Sequence, residues 1–176
     1  MEKNKMNTRE NLLHAFEASI VADPLYTRFR GMPVCQEMGE RENMLLFSCF
    51  DVRTCMKDEV IYEAHTESDN TMHMILSGAV NVSSPSNDTY SRLQAGDVFG
   101  LFSFLDEDRS HSATIRAESE VTLLAINRAY FNLITIEDPT LGNQMLRFMF
   151  RLLSRMALKL ESEYVAIHEF AMARRT

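Results

Sequence analysis

The sequence lacks a basic excess, a long apolar run and the polar-to-apolar start of an exported protein. Its 176 residues include 18 Lys and Arg against 25 Asp and Glu, which gives a net charge of −7. Neutralising phosphates supplies most of the affinity of a nucleic-acid-binding domain, so we expect no direct DNA binding by this chain alone. No run is long enough to cross a bilayer, and the start, MEKNKMNTRE, is too polar for a signal peptide. We therefore expect a cytoplasmic protein that does not contact membranes.

Cysteine is scarce, and the motifs of common catalytic sites are missing. The three cysteines, Cys35, Cys49 and Cys55, are odd in number and show no CxxC spacing. In an intracellular chain we expect them to be buried thiols rather than metal ligands or disulfides. The sequence contains no nucleophile elbow, P-loop or metalloprotease helix. These absences predict that the protein is not an enzyme and has no metal site.

What the sequence contains is three segments of different periodicity. Residues 1–50 have apolar residues at helical spacing, which predicts one helix from Asn7 to about Phe29 and another over 40–50. We expect Asn7 and Glu10 to form a capping box, and Pro24 to break or kink the first helix. Residues 51–127 switch to short apolar, β-branched runs separated by turn clusters, which predicts an antiparallel barrel or roll. The predicted strands cover 60–62, 72–82, 90–93, 113–117 and 121–126.

Residues 128–176 return to helical periodicity. Asn127 is the predicted cap of a helix over 128–134, and a long helix is predicted over 140–173. Along it, apolar residues recur every seven positions, and a second apolar residue follows each of them three positions later, except at Glu163. The resulting apolar seam consists of Leu146, Met149, Leu153, Met156, Leu160, Ile167 and Phe170. Further apolar residues beside it are Phe150, Ala157, Tyr164 and Ala171. The seam predicts a homodimer through this helix. The alternative is that the same face packs on the protein's own roll.

Three marks in a fixed order point to one family. They are a strand ending in Ile75-Leu76-Ser77-Gly78, the turn Gly96-Asp97-x-Phe99-Gly100, and the stretch SHSATIRA at 110–117 before the terminal helices. With these marks the chain resembles the cyclic nucleotide-binding domain over roughly residues 47–170, and especially the sensory half of catabolite activator/FNR-like bacterial regulators. The resemblance implies an α+β fold: an antiparallel β-roll (a jelly-roll-like double-stranded β-helix) flanked by N-terminal helices and a long C-terminal helix. We expect no helix-turn-helix domain, since only AMARRT follows Phe170.

The resemblance also implies a phosphate cassette over residues 96–113. In the family an acid takes the ribose 2′-hydroxyl, backbone N–H groups of a short helix reach the cyclic phosphate, and an arginine pairs with its charge. Carried over without gaps, the acid falls on Leu101 and the arginine on His111. Leu101 would leave the hydroxyl unpaired at a cost of about 1–3 kcal/mol, and a histidine is only a conditional cation. The implied ligand-binding residues are Gly100, Leu101, Phe102, Ser103, His111, Ser112 and Ala113, while Arg109 is expected to be solvated.

We therefore interpret the chain as a stand-alone sensory or regulatory domain with a divergent phosphate cassette, signalling through a dimer helix. Its ligand would be cAMP, cGMP or another small molecule. The alternative hypothesis is a protein-interaction module whose degenerate pocket holds no ligand. A third is a haem or other small-molecule sensor, for which His73 is the candidate. A cupin-like metal site is disfavoured, because His65 and His73 are too far apart in sequence.

One further pattern lies on the long helix. Basic residues recur there at four-residue spacing: Arg147, Arg151, Arg155 and Lys159. Such a row is typical of a solvated helix face opposite an apolar seam. The alternative is a docking strip for an acidic protein partner.

Overall fold

In chain order, the protein has N-terminal helices, a β-roll of two antiparallel sheets, and C-terminal helices. The computed structural model describes residues 2–36, 38–86, 88–106 and 109–173. The helices are α1 (Glu2–Val21), α2 (Pro24–Arg30), α3 (Glu40–Phe47), α4 (Leu101–Leu105), α5 (Arg128–Glu137) and α6 (Pro139–Ala173). The strands are β1 (Asp51–Cys55), β2 (Val60–Tyr62), β3 (Thr71–Ser77), β4 (Ala79–Ser83), β5 (Thr89–Gln94), β6 (Val98–Phe99), β7 (Thr114–Ala117) and β8 (Val121–Asn127). This arrangement confirms the predicted fold class.

The N-terminal helices break where the proline predicts. Helix α1 ends at Val21 and α2 begins at Pro24, with the Asp23 carboxylate accepting the backbone N–H of Leu25 at 2.8 Å. Proline suits the first position of a helix because no hydrogen bond is required from its nitrogen. The predicted cap at Asn7 is wrong, because α1 begins at Glu2 and the backbone of Asn7 lies inside it.

The strands form two four-stranded sheets. Their orders are β1-β8-β3-β6 and β2-β7-β4-β5, and every paired strand is antiparallel. All predicted strand segments are confirmed, and the segment 72–82 forms two strands that turn at Gly78. Gly78 has φ +82°, and a Cβ there would stand 2.3 Å from the carbonyl oxygen of Glu120, so only glycine fits. Strands β1 and β6 were not predicted.

The core has two parts that share β3. Successive strand residues face opposite sides of a sheet. Met72, Met74 and Leu76 therefore contribute to a larger cluster with the helices, which we call the helical core, whereas Ile75 contributes to a smaller cluster between the sheets. Because β3 is covered on both faces, nearly all of its side chains are buried.

Helix α6 confirms the long helix predicted over 140–173, and Asn127 caps α5 by accepting the backbone N–H of Ala129 at 2.8 Å. The first half of α6 packs on the helical core through Met145, Phe148 and Leu152. Met149 is only 4% exposed in that same core, and Met156 packs against it, so these two predicted seam residues face their own chain. Every residue of α6 after Met156 is exposed.

Candidate ligand-binding site

Two glycines shape the turn that leads into α4. Gly96 and Gly100 have φ +92° and +74°, which are left-handed values that glycine adopts at little cost. A Cβ on Gly100 would stand 2.4 Å from the carbonyl oxygen of Thr71 and 3.6 Å from His73 Nδ1. The glycine therefore lets the first turn of α4 begin directly against β3.

The residue at the acid position faces the core. Leu101 is 1% exposed and belongs to the helical core, as does Phe104 three residues later on the same face of α4. Ser103 is also buried, and its hydroxyl donates to the Gly100 carbonyl at 3.1 Å. Phe102 points the other way and is 55% exposed, with the Arg109 guanidinium 5.5 Å from its ring centre. The first turn of α4 therefore offers a phenyl ring, and no carboxylate, to a ligand.

The residue at the arginine position is stacked on a tyrosine. The His111 imidazole is only 7% exposed and lies on the Tyr62 ring with centroids 3.7 Å apart and planes 7° apart. Its backbone is held at both ends, since its carbonyl accepts from His65 N–H at 2.7 Å and its N–H donates to Thr66 O at 3.1 Å. Burial lowers the pKa of His111, opposed by the nearby carboxylate of Asp69. The imidazole is therefore neutral at neutral pH and cannot act as a permanent cation.

The stack continues into the protein interior. Tyr62 contacts Phe99 with centroids 5.9 Å apart, and Phe99 stacks on His73 at 4.9 Å with planes 10° apart. We call His111, Tyr62, Phe99 and His73 the aromatic row. His73 is buried, its Nδ1 has no hydrogen-bond partner, and burial lowers its pKa to about 4. All four rings therefore pack as neutral groups.

The cavity beside the cassette is small. Its volume is about 50 Å³, and its lining consists of Tyr62, Gly100, Phe102, Ser103, Arg109, Ser110, His111 and Ser112. Pockets for small organic ligands have volumes of about 300–1,000 Å³. A cavity of this size has room for ordered water, not for a nucleotide.

Comparison with known proteins agrees with the fold. Residues 52–137 match the family model of the cyclic nucleotide-binding domain. Over these residues, just under half of its length, the chain is similar to that family. Domains of the cyclic nucleotide-binding family are typically regulatory rather than catalytic, so the fold supports a sensory or regulatory role. No curated protein sequence matches the chain.

Solved structures of the family share the fold at low sequence identity. A cyclic nucleotide-binding domain from Methylobacillus flagellatus KT is 21% identical, with a TM-score of 0.63 over 73% of this chain and 74% of that one. The N-terminal domain of a Streptomyces coelicolor transcriptional regulator is 18% identical, with a TM-score of 0.58 over 76% of this chain and 94% of that one. The catabolite activator protein of Thermus thermophilus is 21% identical, with a TM-score of 0.54 over 75% and 63%, respectively.

The predicted cassette residues are only partly brought together. Gly100, Phe102, Ser103, His111 and Ser112 line the cavity. Leu101 and Ala113 do not line it. Leu101, the first residue of α4, lies in the helical core, and Ala113, just before β7, is buried in the cluster between the sheets.

Sequence reasoning missed three side chains that hold the cassette in place. Tyr62 supports His111 from the opposite strand, and nothing in its surroundings in the sequence signals this role. Arg128 donates to the carbonyls of Phe104 and Leu105 at 2.7 and 2.6 Å, which satisfies the C-terminal end of α4. Lys159 of α6 pairs with Asp97 at 3.2 Å, which links the cassette turn to the long helix.

Other chemistries receive little support from the site. Among the described residues, no group of three His, Cys, Asp or Glu side chains could hold a metal ion. The three cysteines are buried free thiols, as expected, and burial raises the pKa of Cys35 to about 12 and that of Cys49 to about 11. His73, the haem candidate, is packed on Phe99 and does not line the cassette cavity. Within the described residues, no helix combines the length and hydropathy needed to cross a membrane.

Proposed function

We propose that this chain is a cytoplasmic regulatory domain that acts as a homodimer through α6, and that its cassette does not accept a cyclic nucleotide. The observation that carries the proposal is the 50 Å³ cavity, which is bounded by the domain's own His111 and Tyr62 rings. The function is then binding and signalling rather than catalysis.

Three features of the cassette argue against a nucleotide. The Leu101 side chain has no hydrogen-bond acceptor for a ribose hydroxyl, and it is buried in the core rather than facing the cavity. His111 is neutral and stacked, so a phosphate would lack a fixed counter-charge. The Ser103 hydroxyl already donates to its own turn at Gly100. A bound nucleotide would leave buried polar groups unpaired at each of these places.

Calorimetry with cAMP and cGMP tests this half of the proposal. We expect no binding heat at millimolar concentrations of either nucleotide. His111→Arg introduces a permanent cation at the arginine position, and we expect no gain for this variant because Leu101 still provides no acceptor for the ribose hydroxyl. A Kd below about 100 μM for the unaltered protein would overturn the proposal.

The exposed part of α6 supports the dimer. Met149 and Met156 pack on the chain's own helical core and Leu153 is partly buried against it, whereas Phe170 is exposed beside the row. The exposed apolar residues that keep spacings of three, four or seven are Leu146, Phe150, Ala157, Leu160, Tyr164, Ile167 and Ala171. We call this set the exposed seam. Steps of four and three are the spacing of a coiled-coil interface. A continuous apolar stripe of this length on a surface is typical of an association site.

Two matched leucines separate a seam effect from a general surface effect. Leu158 and Leu160 are both 61% exposed, but two residues of α-helix place them about 160° apart around the axis. We expect Leu160→Glu to convert the dimer to monomers in sedimentation equilibrium and Leu158→Glu to leave it intact. Neither residue is buried, so the roll should keep its unfolding midpoint in both. A monomeric unaltered protein at about 100 μM, or equal dissociation of both variants, would contradict the dimer.

A further inference from the structure

A groove much larger than the cassette cavity lies where α6 passes the β5–β6 turn. Its volume is about 400 Å³, against about 50 Å³ for the cassette cavity. Most of its lining is apolar and includes Met32 and Val34 before α3, Leu93 and Val98 of the roll, and Leu152 and Met156 of α6. The polar side chains of the lining are Ser91, Asp97, Arg155, Lys159 and Glu163. A volume in this range is that of a pocket for a small organic molecule.

The groove and the cassette cavity are separate spaces. Among the described residues, Phe102 alone is common to the two linings, and it is 55% exposed. The rest of the cassette lining, including Tyr62 and His111, does not contact the groove. A molecule in the groove would therefore not use the phosphate cassette.

Three charged side chains of α6 line the groove at intervals of four residues, about one helical turn: Arg155, Lys159 and Glu163. Lys159 is paired with Asp97 at 3.2 Å, and Glu163 stands one turn beyond Lys159, within reach of the same ammonium group. Arg155 stands one turn before Lys159, and no carboxylate pairs with it among the residues that the structure describes. Eight residues of helix place Arg155 about 12 Å from Glu163. Among the described lining residues, Arg155 is thus a cation with no carboxylate partner beside a mostly apolar groove.

We propose that this groove binds an amphipathic carboxylate, in which an apolar chain ends in a single carboxylate group. The carboxylate would pair with the Arg155 guanidinium, whose geometry allows two parallel hydrogen bonds. The chain would lie against Leu152, Met156 and the Val98 side of the roll. Such a ligand contacts α6 and the cassette turn together, and its binding does not depend on whether the cassette takes a nucleotide.

Isothermal titration with decanoate, below its micelle concentration, tests the proposal on the full chain. Decan-1-ol and decyltrimethylammonium carry the same apolar chain with no charge and with the opposite charge. We expect decanoate to bind more tightly than either. A decanol affinity equal to that of decanoate, or no decanoate binding at about 1 mM, would overturn the proposal.

Two arginines on the same helix give a matched pair of variants. Arg155→Gln removes the cation in the groove, whereas Arg147→Gln removes an exposed cation eight residues earlier, beside α5. We expect Arg155→Gln to weaken decanoate binding about tenfold or more, as for the loss of a charge-assisted hydrogen bond, and Arg147→Gln to leave it unchanged. Equal effects of the two substitutions would overturn the proposal.

A fluorescent reporter then locates the bound molecule. The chain has no tryptophan, and Ser91 of β5 lines the groove but not the cassette cavity, so Ser91→Trp places a single indole in the groove wall. Decanoate should shift the emission of this variant to the blue in step with the calorimetric isotherm. Calorimetric binding without an emission change would assign the decanoate to another surface and overturn the proposal.

Discussion

Substituting Gly100 by alanine tests how closely α4 approaches β3. Gly100 has φ +74°, and an alanine Cβ would stand 2.4 Å from the carbonyl oxygen of Thr71. Left-handed backbone costs an L-residue about 1–2 kcal/mol. Thr71 is buried at the start of β3 and pairs with Asn127 of β8, so its carbonyl cannot move away without disturbing the ladder. Forcing extra volume into such a place costs about a further 1–3 kcal/mol.

Gly96 is the matched control for this substitution. It belongs to the same turn and has φ +92°, but nothing lies within 4 Å of a Cβ placed there. Gly96→Ala should therefore lose only the backbone component, about 1–2 kcal/mol of the free energy of unfolding, whereas Gly100→Ala should lose about 2–5 kcal/mol. Urea denaturation at pH 7 with a common m-value measures both losses. Losses equal within about 0.5 kcal/mol would refute the close approach of α4 to β3.

Two further predictions concern buried side chains of the site. Leu101→Glu should destabilise the protein by about 3 kcal/mol or more by placing a carboxyl in the core, while Phe102→Glu on the exposed side of α4 should stay within about 1 kcal/mol; a similar urea midpoint for both would show that Leu101 is not core-facing. The pKa of His73 is lowered to about 4, so the folded state stays neutral where the unfolded chain takes up a proton, and stability should fall as the pH drops from about 6.5 to 4, by up to about 3 kcal/mol. His73→Phe keeps a ring against Phe99 and should flatten this loss between pH 7 and pH 5, whereas an unchanged loss would assign the proton uptake to other groups.

The sequence predicted most of the fold because its signals are local. Turn clusters between short β-branched runs marked the roll, and Pro24 and Asn127 marked helix starts. Strand β1 was not predicted because DVRTC shows no alternation of apolar and polar residues, and four of its five residues are exposed at the sheet edge. Strand β6 was not predicted because a strand of two residues is too short to show a periodic pattern.

The candidate site was less predictable because its decisive contacts are not local. The glycines of the turn were identified, but whether Leu101 faces the core or a ligand depends on how α4 is rotated against β3. The stacking partner of His111 is Tyr62, far away in sequence. On α6, Phe150 and Met149 are neighbours that fit a heptad equally well, and only packing against the helical core separates the buried one from the exposed one.

The part of α6 that extends beyond the core bears on the stability of the helix itself. Residues 157–173 are exposed throughout, so in a single copy they must hold helical structure with little tertiary support beyond the Lys159–Asp97 pair. An isolated helix of this length is marginal in water. Its amides should therefore exchange with solvent at low opening free energy in dilute solution. If two copies pair through the exposed seam, as proposed, the contact also orders this segment, and helix content should then rise with protein concentration.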